Sequence, residues 1–288
     1  MRIWLMAARL RTLPAAVAPV LVGTALAIHD GDFDGFALAA ALLGAVFIQV
    51  GTNLSNDYSD ARRGADTDDR LGPVRVTAGG LVPPRRVLVA TYVTFGLAVL
   101  CGVYLVIKAG PVLLLIGAAS ILAGVLYTGG PRPYGYEGLG EVFVFLFFGI
   151  VAVSGSYYVQ TEDLRGLAFA LAVPVGLLAS AILVVNNVRD VETDRRAGKR
   201  TLAVRLGRER ARTLYAGMLA LGFASLVPLA AWLSPWVLLA LAPLPLAVRL
   251  VTTVRTRTDG PSLNGALAGT GMLQLAYCVL LSAGVLAS

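Results

Sequence analysis

Nine apolar runs, each parted from the next by a short polar segment, constrain this chain more than any other feature of its sequence. They fall approximately at 13–29, 36–56, 87–107, 111–127, 139–160, 166–188, 212–232, 235–251 and 263–287. Several are close to the ~20 residues a helix needs to cross a bilayer, and the shorter ones lie in the lower part of the usual range. Inside lipid the backbone must satisfy its own N–H and C=O groups, which a helix does. The expected fold class is therefore all-α: a polytopic membrane protein built as a bundle of nine transmembrane helices. Pro14, Pro19, Pro174, Pro228, Pro243 and Pro245 fall within the runs and predict bends that neighbouring helices must accommodate. No solvent-sized domain, Gly/Ser linker or low-complexity segment interrupts the pattern, so residues 1–288 are expected to form a single membrane domain.

The charges sort themselves around these runs. Of the 24 Lys and Arg residues, 22 lie in the amino-terminal segment or in the loops after runs two, four, six and eight; only Lys108 and Arg165 fall on the other side. The excess of positive charge on cytoplasmic loops then puts the amino terminus and those loops in the cytoplasm of a cell-membrane protein. A missed or extra span in the middle would scramble the sorting. Charged residues are 14% of the chain and the net charge is +7, against about 25% charged in soluble domains. The basic residues form no single patch, which argues against a nucleic-acid partner. Arg2, Arg9 and Arg11 stand beside Trp4, Leu5 and Leu10 and predict an interfacial amphipathic helix before the first run. Cys101 and Cys278 lie in apolar runs without disulfide or zinc spacing, and His29 is the only histidine. That argues against a histidine-based metal site and against a Ser-His-Asp triad.

Two polar clusters carry the chemistry. Run two is followed by NLSNDYSDARRGADTDD, from Asn53 to Asp69, in which Asn53, Asn56, Asp57 and Asp60 stand at i, i+3, i+4 and i+7. Run six is followed by NNVRDVETDRRAGKRT, from Asn186 to Thr201, in which Asn187, Asp190 and Asp194 stand at i, i+3 and i+7. If the helices continue, each set lies on one face. Both sets sit at helix carboxyl ends, which already carry partial negative charge, so each exposed carboxylate there costs on the order of 0.3–1 kcal/mol. A cation should compensate, and Mg²⁺, which favours carboxylate and phosphate oxygens, is the natural one. Asp57, Asp60, Asp190 and Asp194, with Lys199, are thus candidate catalytic residues, and the four carboxylates with Asn56 and Asp66 are candidate metal ligands. Asp68, Asp69 and Glu192 fit better as hydrophilic loop residues.

Basic and aromatic residues surround the clusters. Arg70 and Arg75 follow the first; Arg189, Arg195, Arg196, Lys199 and Arg200 surround the second. Gly198 and Thr201 place Lys199 and Arg200 in a compact polar turn suited to phosphate oxygens. Gly198-Lys199 is not a P-loop, because an Arg intervenes before Thr201 and no strand precedes it. After run four, YTGGPRPYGYEGLGE gathers Tyr127, Tyr134 and Tyr136 around Arg132. Those rings serve either as an interfacial belt or as faces for an allylic cation or an aromatic acceptor. The Gly-Pro density predicts a mobile cover that keeps water from a reactive cation. Candidate substrate contacts are Asn53, Asn56, Arg75, Tyr127, Arg132, Tyr134, Asn187, Lys199 and Arg200.

At these residues the chain resembles the UbiA superfamily of membrane prenyltransferases, and within it the 1,4-dihydroxy-2-naphthoate polyprenyltransferase branch. The resemblance is carried by ARLRTLPAAVAPVLVGTALA (Ala8 to Ala27), by the first cluster through Leu81, by Tyr127 to Gly149, and by Asn186 to Gly207. It implies a central cavity open to lipid and two Mg²⁺ ions holding a polyprenyl diphosphate at the cytoplasmic end. Asn56 and Asp60 match the first family motif, with Asp57 beside them; Asp190 and Asp194 match the second; Lys199 and Arg200 fall where the family binds diphosphate. Gly64 departs from the pattern: some members carry their last aspartate there, and here that acid moves to Asp66. The implied activity transfers a polyprenyl group to 1,4-dihydroxy-2-naphthoate with loss of diphosphate and CO₂, yielding a demethylmenaquinone. The rival readings are the same catalysis on another acceptor (4-hydroxybenzoate, homogentisate, haem or a glycerophospholipid) and a secondary transporter. The acids cluster at one surface rather than at the midplane, which argues against the transporter.

Overall fold

The computed structural model of the chain describes residues 2–66 and 71–288. Asp68, Asp69 and Arg70 therefore lie outside the described residues. Among the described residues, nine helices carry the nine apolar runs: α1 Leu13–His29, α2 Gly35–Arg62, α3 Pro84–Ala109, α4 Val112–Leu126, α5 Gly140–Thr161, α6 Gly166–Arg196, α7 Arg208–Trp232, α8 Pro235–Thr256 and α9 Gly260–Leu286. Eight of the nine runs are long and apolar enough to cross a membrane, and α4 is a shorter apolar helix. No strand occurs among the described residues. The protein is a multi-pass membrane protein with the all-helical architecture that the run pattern predicts.

Local chemistry sets the helix starts. The Asp34 side chain accepts from the Phe36 and Ala37 amides at 2.9 and 3.1 Å and opens α2. Asp259 does the same for Ser262 at 2.8 Å before α9. These caps satisfy amides that have no partner inside the helix. The prolines behave as their missing N–H requires. Pro19 and Pro174 sit inside α1 and α6 without ending them. Pro228 follows a break at Ser225 in α7, and Pro243 and Pro245 mark the junction between the 3₁₀ start of α8 and its continuation, Leu244–Thr256.

α1, α6 and α9 supply most of the buried core, joined by faces of α7 and α8. α3 and α4 expose apolar side chains such as Tyr92, Leu100, Leu114 and Leu115, as expected of lipid-facing helices. α5 crosses α6 at backbone contact. A Cβ on Gly149 would stand 2.6 Å from the Cα of Gly176 and 2.9 Å from the Ala172 carbonyl oxygen. In lipid, close backbone approach replaces the hydrophobic drive that packs helices in water. At the same level α5 widens into a π-helical stretch, Phe145–Val151, a local irregularity common near functional sites.

At 15 residues α4 is only about 22 Å long. The segment 127–139 that follows folds back on the bundle end, with Thr128, Gly129, Pro133 and Gly135 buried. Its amides return to α4, Tyr134 to the Leu126 carbonyl at 3.3 Å and Gly135 to that of Tyr127 at 3.0 Å. Arg63 at the end of α2 donates to the Gly130 carbonyl. At the opposite end of the bundle, the two basic residues that stood apart in the charge sorting both find acids. Lys108 meets Asp34 at 3.0 Å, and Arg165 pairs with Asp30. Tyr157 also donates to Asp30, at 2.7 Å.

Candidate active site

α2 runs without interruption through Asn53, Asn56, Asp57 and Asp60, and α6 through Asn187, Asp190 and Asp194. Both then stop in the same way. Gly64 (φ +64) and Gly198 (φ +74) take the left-handed conformation just beyond the helix. The next amide folds back to the carbonyl of the last acid: Ala65 to Asp60 at 3.0 Å, Lys199 to Asp194 at 2.9 Å. The glycine amides bond the carbonyls of Ala61 and Arg195, each at 3.2 Å. These are paired Schellman ends, in which glycine supplies the backbone conformation. Asn53, Asn56, Asp60 and Gly64 are each separated by 134 positions from Asn187, Asp190, Asp194 and Gly198. The two clusters are thus one motif used twice.

Both motifs face a single cavity of ≈ 590 Å³. Asn53, Asn56, Asp60, Arg75, Asn187, Asp190, Asp194 and Lys199 line its polar end. From there it follows α2 back as far as Ala41, about 28 Å along the helix axis. Its remaining walls are mainly apolar faces of α3, α4 and α5, with parts of α1 and α6, and Tyr127, Tyr134, Phe143 and Phe147 also line it. The Tyr134 and Phe143 rings stack at 4.0 Å between centroids.

Asp60 and Asp190 on this wall are buried and engaged, and Asp194 is half-buried. Asp60, 2% exposed, accepts the Tyr136 hydroxyl at 2.6 Å and lies 3.4 Å from the Lys199 ammonium. Lys199 also sits 4.7 Å above the Tyr136 ring centroid. Burial foremost, then the charge and hydrogen bond of Asp60, holds the Tyr136 phenol well above its ordinary range, so it stays a neutral donor. Asn56 accepts from Thr128 at 2.9 Å. Arg189 grips Asp190 with two hydrogen bonds, at 2.8 and 2.6 Å. The remaining Arg189 donors go to Asn264 at 2.7 Å and Asn186 at 2.9 Å. Asn53 donates its amide to the Ala8 carbonyl and the Thr12 hydroxyl at 3.0 and 3.1 Å, fastening the amino-terminal segment to α2.

Four expected site residues stand off the cavity wall. Asp57 is 1% exposed, and its two oxygens accept the Val76 and Thr77 amides at 3.2 and 2.9 Å. It pins the loop after α2 and does not line the cavity. Asp66 is buried 3.5 Å from Arg75 Nε, behind the wall that Arg75 itself lines. Arg132 and Arg200 are exposed and do not line the cavity. The Arg200 amide nonetheless donates to the Tyr136 carbonyl at 2.8 Å, which knits the end of α6 to segment 127–139. Tyr136, Thr128, Arg189 and Glu141 were not among the candidate site residues from the sequence. Tyr136 carried a signal in its place in the aromatic loop, and Arg189 in its place among the basic residues beside the second cluster.

The cavity-facing donors are the Asn56 amide and the Asp60, Asp190 and Asp194 carboxylates. All are hard oxygens, with no thiolate or imidazole among them. No group of three or more His, Cys, Asp or Glu converges on one point among the described residues. The set fits Mg²⁺, which takes one or two carboxylates and completes its shell with water and substrate phosphate. Here Lys199 and Arg189 offset the charges of Asp60 and Asp190.

Residues 16–283 match the UbiA prenyltransferase family. The chain is 44% identical over 99% of its length to the 1,4-dihydroxy-2-naphthoate octaprenyltransferase of Mycobacterium tuberculosis, 96% of which is covered. It is 40% identical to the Escherichia coli protein of the same name, covering 93% of this chain and 89% of that one. In three dimensions it is similar to a UbiA homologue from Archaeoglobus fulgidus bound to GPP and Mg²⁺, with a TM-score of 0.71 and 15% identity over 99% of this chain and 100% of that chain.

Proposed function

The chain belongs to the UbiA prenyltransferase family, and we propose that it transfers a polyprenyl group from polyprenyl diphosphate to 1,4-dihydroxy-2-naphthoate. Diphosphate and CO₂ leave, giving demethylmenaquinone in its reduced, quinol form. The observation that carries this reading is one cavity with two unlike ends. Paired acid motifs and Lys199 stand at one end, and an apolar passage spanning most of the helix length leads away from them. A polyprenyl diphosphate has the same division. Relatives that align along nearly the whole chain bear the naphthoate name, which favours that acceptor over hydroxybenzoate, homogentisate, haem or a glycerophospholipid.

Asn56, Asp60, Asp190 and Asp194 would hold Mg²⁺, which when bound supplies positive charge to a departing diphosphate. Lys199 and Arg75 add charge-assisted hydrogen bonds to the same oxygens. Asp57 holds the amides of Val76 and Thr77 and so keeps the neighbouring Arg75 at the cavity. Arg132 and Arg200, both exposed, draw anionic substrates in. As the carbon–oxygen bond breaks, its electron pair leaves with the diphosphate. The faces of Tyr127, Tyr134 and Phe143 stabilise the electron-poor allylic carbon, and the apolar wall keeps water from it. An electron pair of the dihydroxynaphthoate ring forms the new carbon–carbon bond, and the carboxylate departs as CO₂, returning its electrons to the ring. The charge sorting orients the acid end toward the cytoplasm of the cell membrane.

The test offers purified protein a labelled prenyl diphosphate with each acceptor in turn. Label should move to dihydroxynaphthoate with release of CO₂. Transfer to another acceptor in preference, or substrate flux in liposomes with no diphosphate released, would overturn the reading.

A further inference from the structure

One buried carboxylate has no part in the chemistry above. Glu141 opens α5 and is 4% exposed. Its backbone carbonyl accepts from Ser180 at 3.0 Å, which fixes the residue against α6. Its Oε1 accepts from Asn187 Nδ2 at 2.9 Å. Its Oε2 has no hydrogen-bond partner. Taking such a group out of water is costly unless its contacts compensate. Glu141 does not itself line the cavity; its side chain reaches it through Asn187, which does.

A carboxylate can only accept, so it dictates which end of the Asn187 amide faces it. With the nitrogen held by Glu141, the Asn187 carbonyl oxygen is the end left for the cavity, and it has no protein partner among the described residues. The duplicated motif supplies an internal comparison. Asn53, the counterpart of Asn187, also spends its amide nitrogen on a neighbouring element, at Ala8 and Thr12. Asn187 lies three residues, about 4.5 Å, below Asp190 on the side away from the helix end. That sets it deeper along the cavity than the acids, on the side toward which the prenyl chain of a diphosphate held by Asp190 and Asp194 would extend. The Tyr127 ring, which also lines the cavity, belongs to the same corner: burial first, then the Glu141 charge, keeps its phenol protonated.

We propose that Glu141 is a positioning residue: it locks the Asn187 amide so that its carbonyl oxygen accepts a ring hydroxyl of the aromatic acceptor and sets that ring against the prenyl carbon. The inference rests on the aromatic-acceptor reading above. Its test is steady-state kinetics on purified protein, varying dihydroxynaphthoate and prenyl diphosphate separately. Glu141→Leu should raise KM for the acceptor about tenfold, the worth of one well-placed hydrogen bond, with KM for the diphosphate within about twofold. Glu141→Gln keeps an acceptor for the Asn187 amide and should stay near wild type. Asn187→Asp sets two carboxylates face to face and should be impaired, while Glu141→Gln with Asn187→Asp restores a donor and acceptor and should recover. This rescue pair decides the matter if Glu141→Leu does not fold. An unchanged acceptor KM in Glu141→Leu, equal rises for both substrates, or failure of the rescue would each overturn the proposal. Absence of transfer to any aromatic acceptor by the wild type would instead sink the reading it rests on.

Discussion

Asp60 shows how much of this site depends on single side chains. Its carboxylate holds the Tyr136 hydroxyl and Lys199 together, so it organises its neighbours as well as offering oxygens to a cation. A hydrogen bond to a charged group is worth about 1.5–3 kcal/mol. Tyr136→Phe should therefore lower kcat/KM about tenfold or more, measured on protein with an unchanged thermal midpoint. Because the Tyr136 phenol lies well above its usual range, it donates throughout neutral and mildly basic pH. The pH–rate profile should show no basic limb from it below about pH 10. The spacing of Asn and Asp was legible in the sequence because a helix turns them onto one face. Its limit appears at Asp57. Adjacent helical residues diverge by about 100°, so Asn56 and Asp57 stand on opposite margins of that face. Whether Asp57 points into the cavity or into the loop depends on Val76 and Thr77, some twenty positions away. Glu141 was illegible for a similar reason, since only the packing of α5 on α6 brings it to Asn187.

Helix ends, more than helices, place the chemistry. Gly64 read from the sequence as a missing aspartate; in the fold it is the left-handed residue that turns the chain after Asp60, as Gly198 does after Asp194. That equivalence was available from the matched spacing of the two motifs, once a glycine is read as a backbone position. Gly198→Ala forces a left-handed conformation that costs a residue with a Cβ roughly 1–2 kcal/mol. It should lower the thermal midpoint by a few degrees. Because Lys199 follows directly, it should also raise KM for prenyl diphosphate more than KM for the acceptor, in the kinetic assay already described. Most helix boundaries came through to within a few residues in the sequence; the clearest departures are the carboxyl ends of α2, α6 and α8 and the amino end of α7. For α2 and α6, hydrophobicity stops near residues 56 and 188, but the helices run on to Arg62 and Arg196 because their polar face is buried against the cavity.

Across the whole molecule, the division of charge between the two ends was the most legible property of all. Its structural counterpart is a pair of far-side clamps, Lys108 with Asp34 and Arg165 with Asp30. Burial pushes the Asp30 carboxyl up, but hydrogen bonds from Arg165 and Tyr157 outweigh it and leave the group below its usual value. A depressed carboxylate contributes stability that is complete above its unfolded value, near 3.9, and is lost as pH falls through the folded one. Thermal stability should then be flat in this respect from pH 8 to about pH 5 and fall in stronger acid. Arg165→Gln should flatten that acid fall, and an identical pH profile in the variant would contradict the assignment. The cavity was not legible from the runs alone. Nothing in the hydrophobic pattern says that α2 and α6 stand apart with a passage between them; that came from the family resemblance and is borne out by a lining shared by Asp60 and Asp190.

The central claim is that the two helix ends work as one site. The most direct measurement is single-turnover transfer of a prenyl group to dihydroxynaphthoate, read by mass spectrometry, for wild type, Asp60→Asn and Asp190→Asn, each with Mg²⁺ or with EDTA. Product should form only in the wild type with Mg²⁺, with either substitution lowering the rate about a hundredfold or more while the variants unfold as the wild type does. Full transfer in either folded variant, or transfer by the wild type in EDTA, would contradict it.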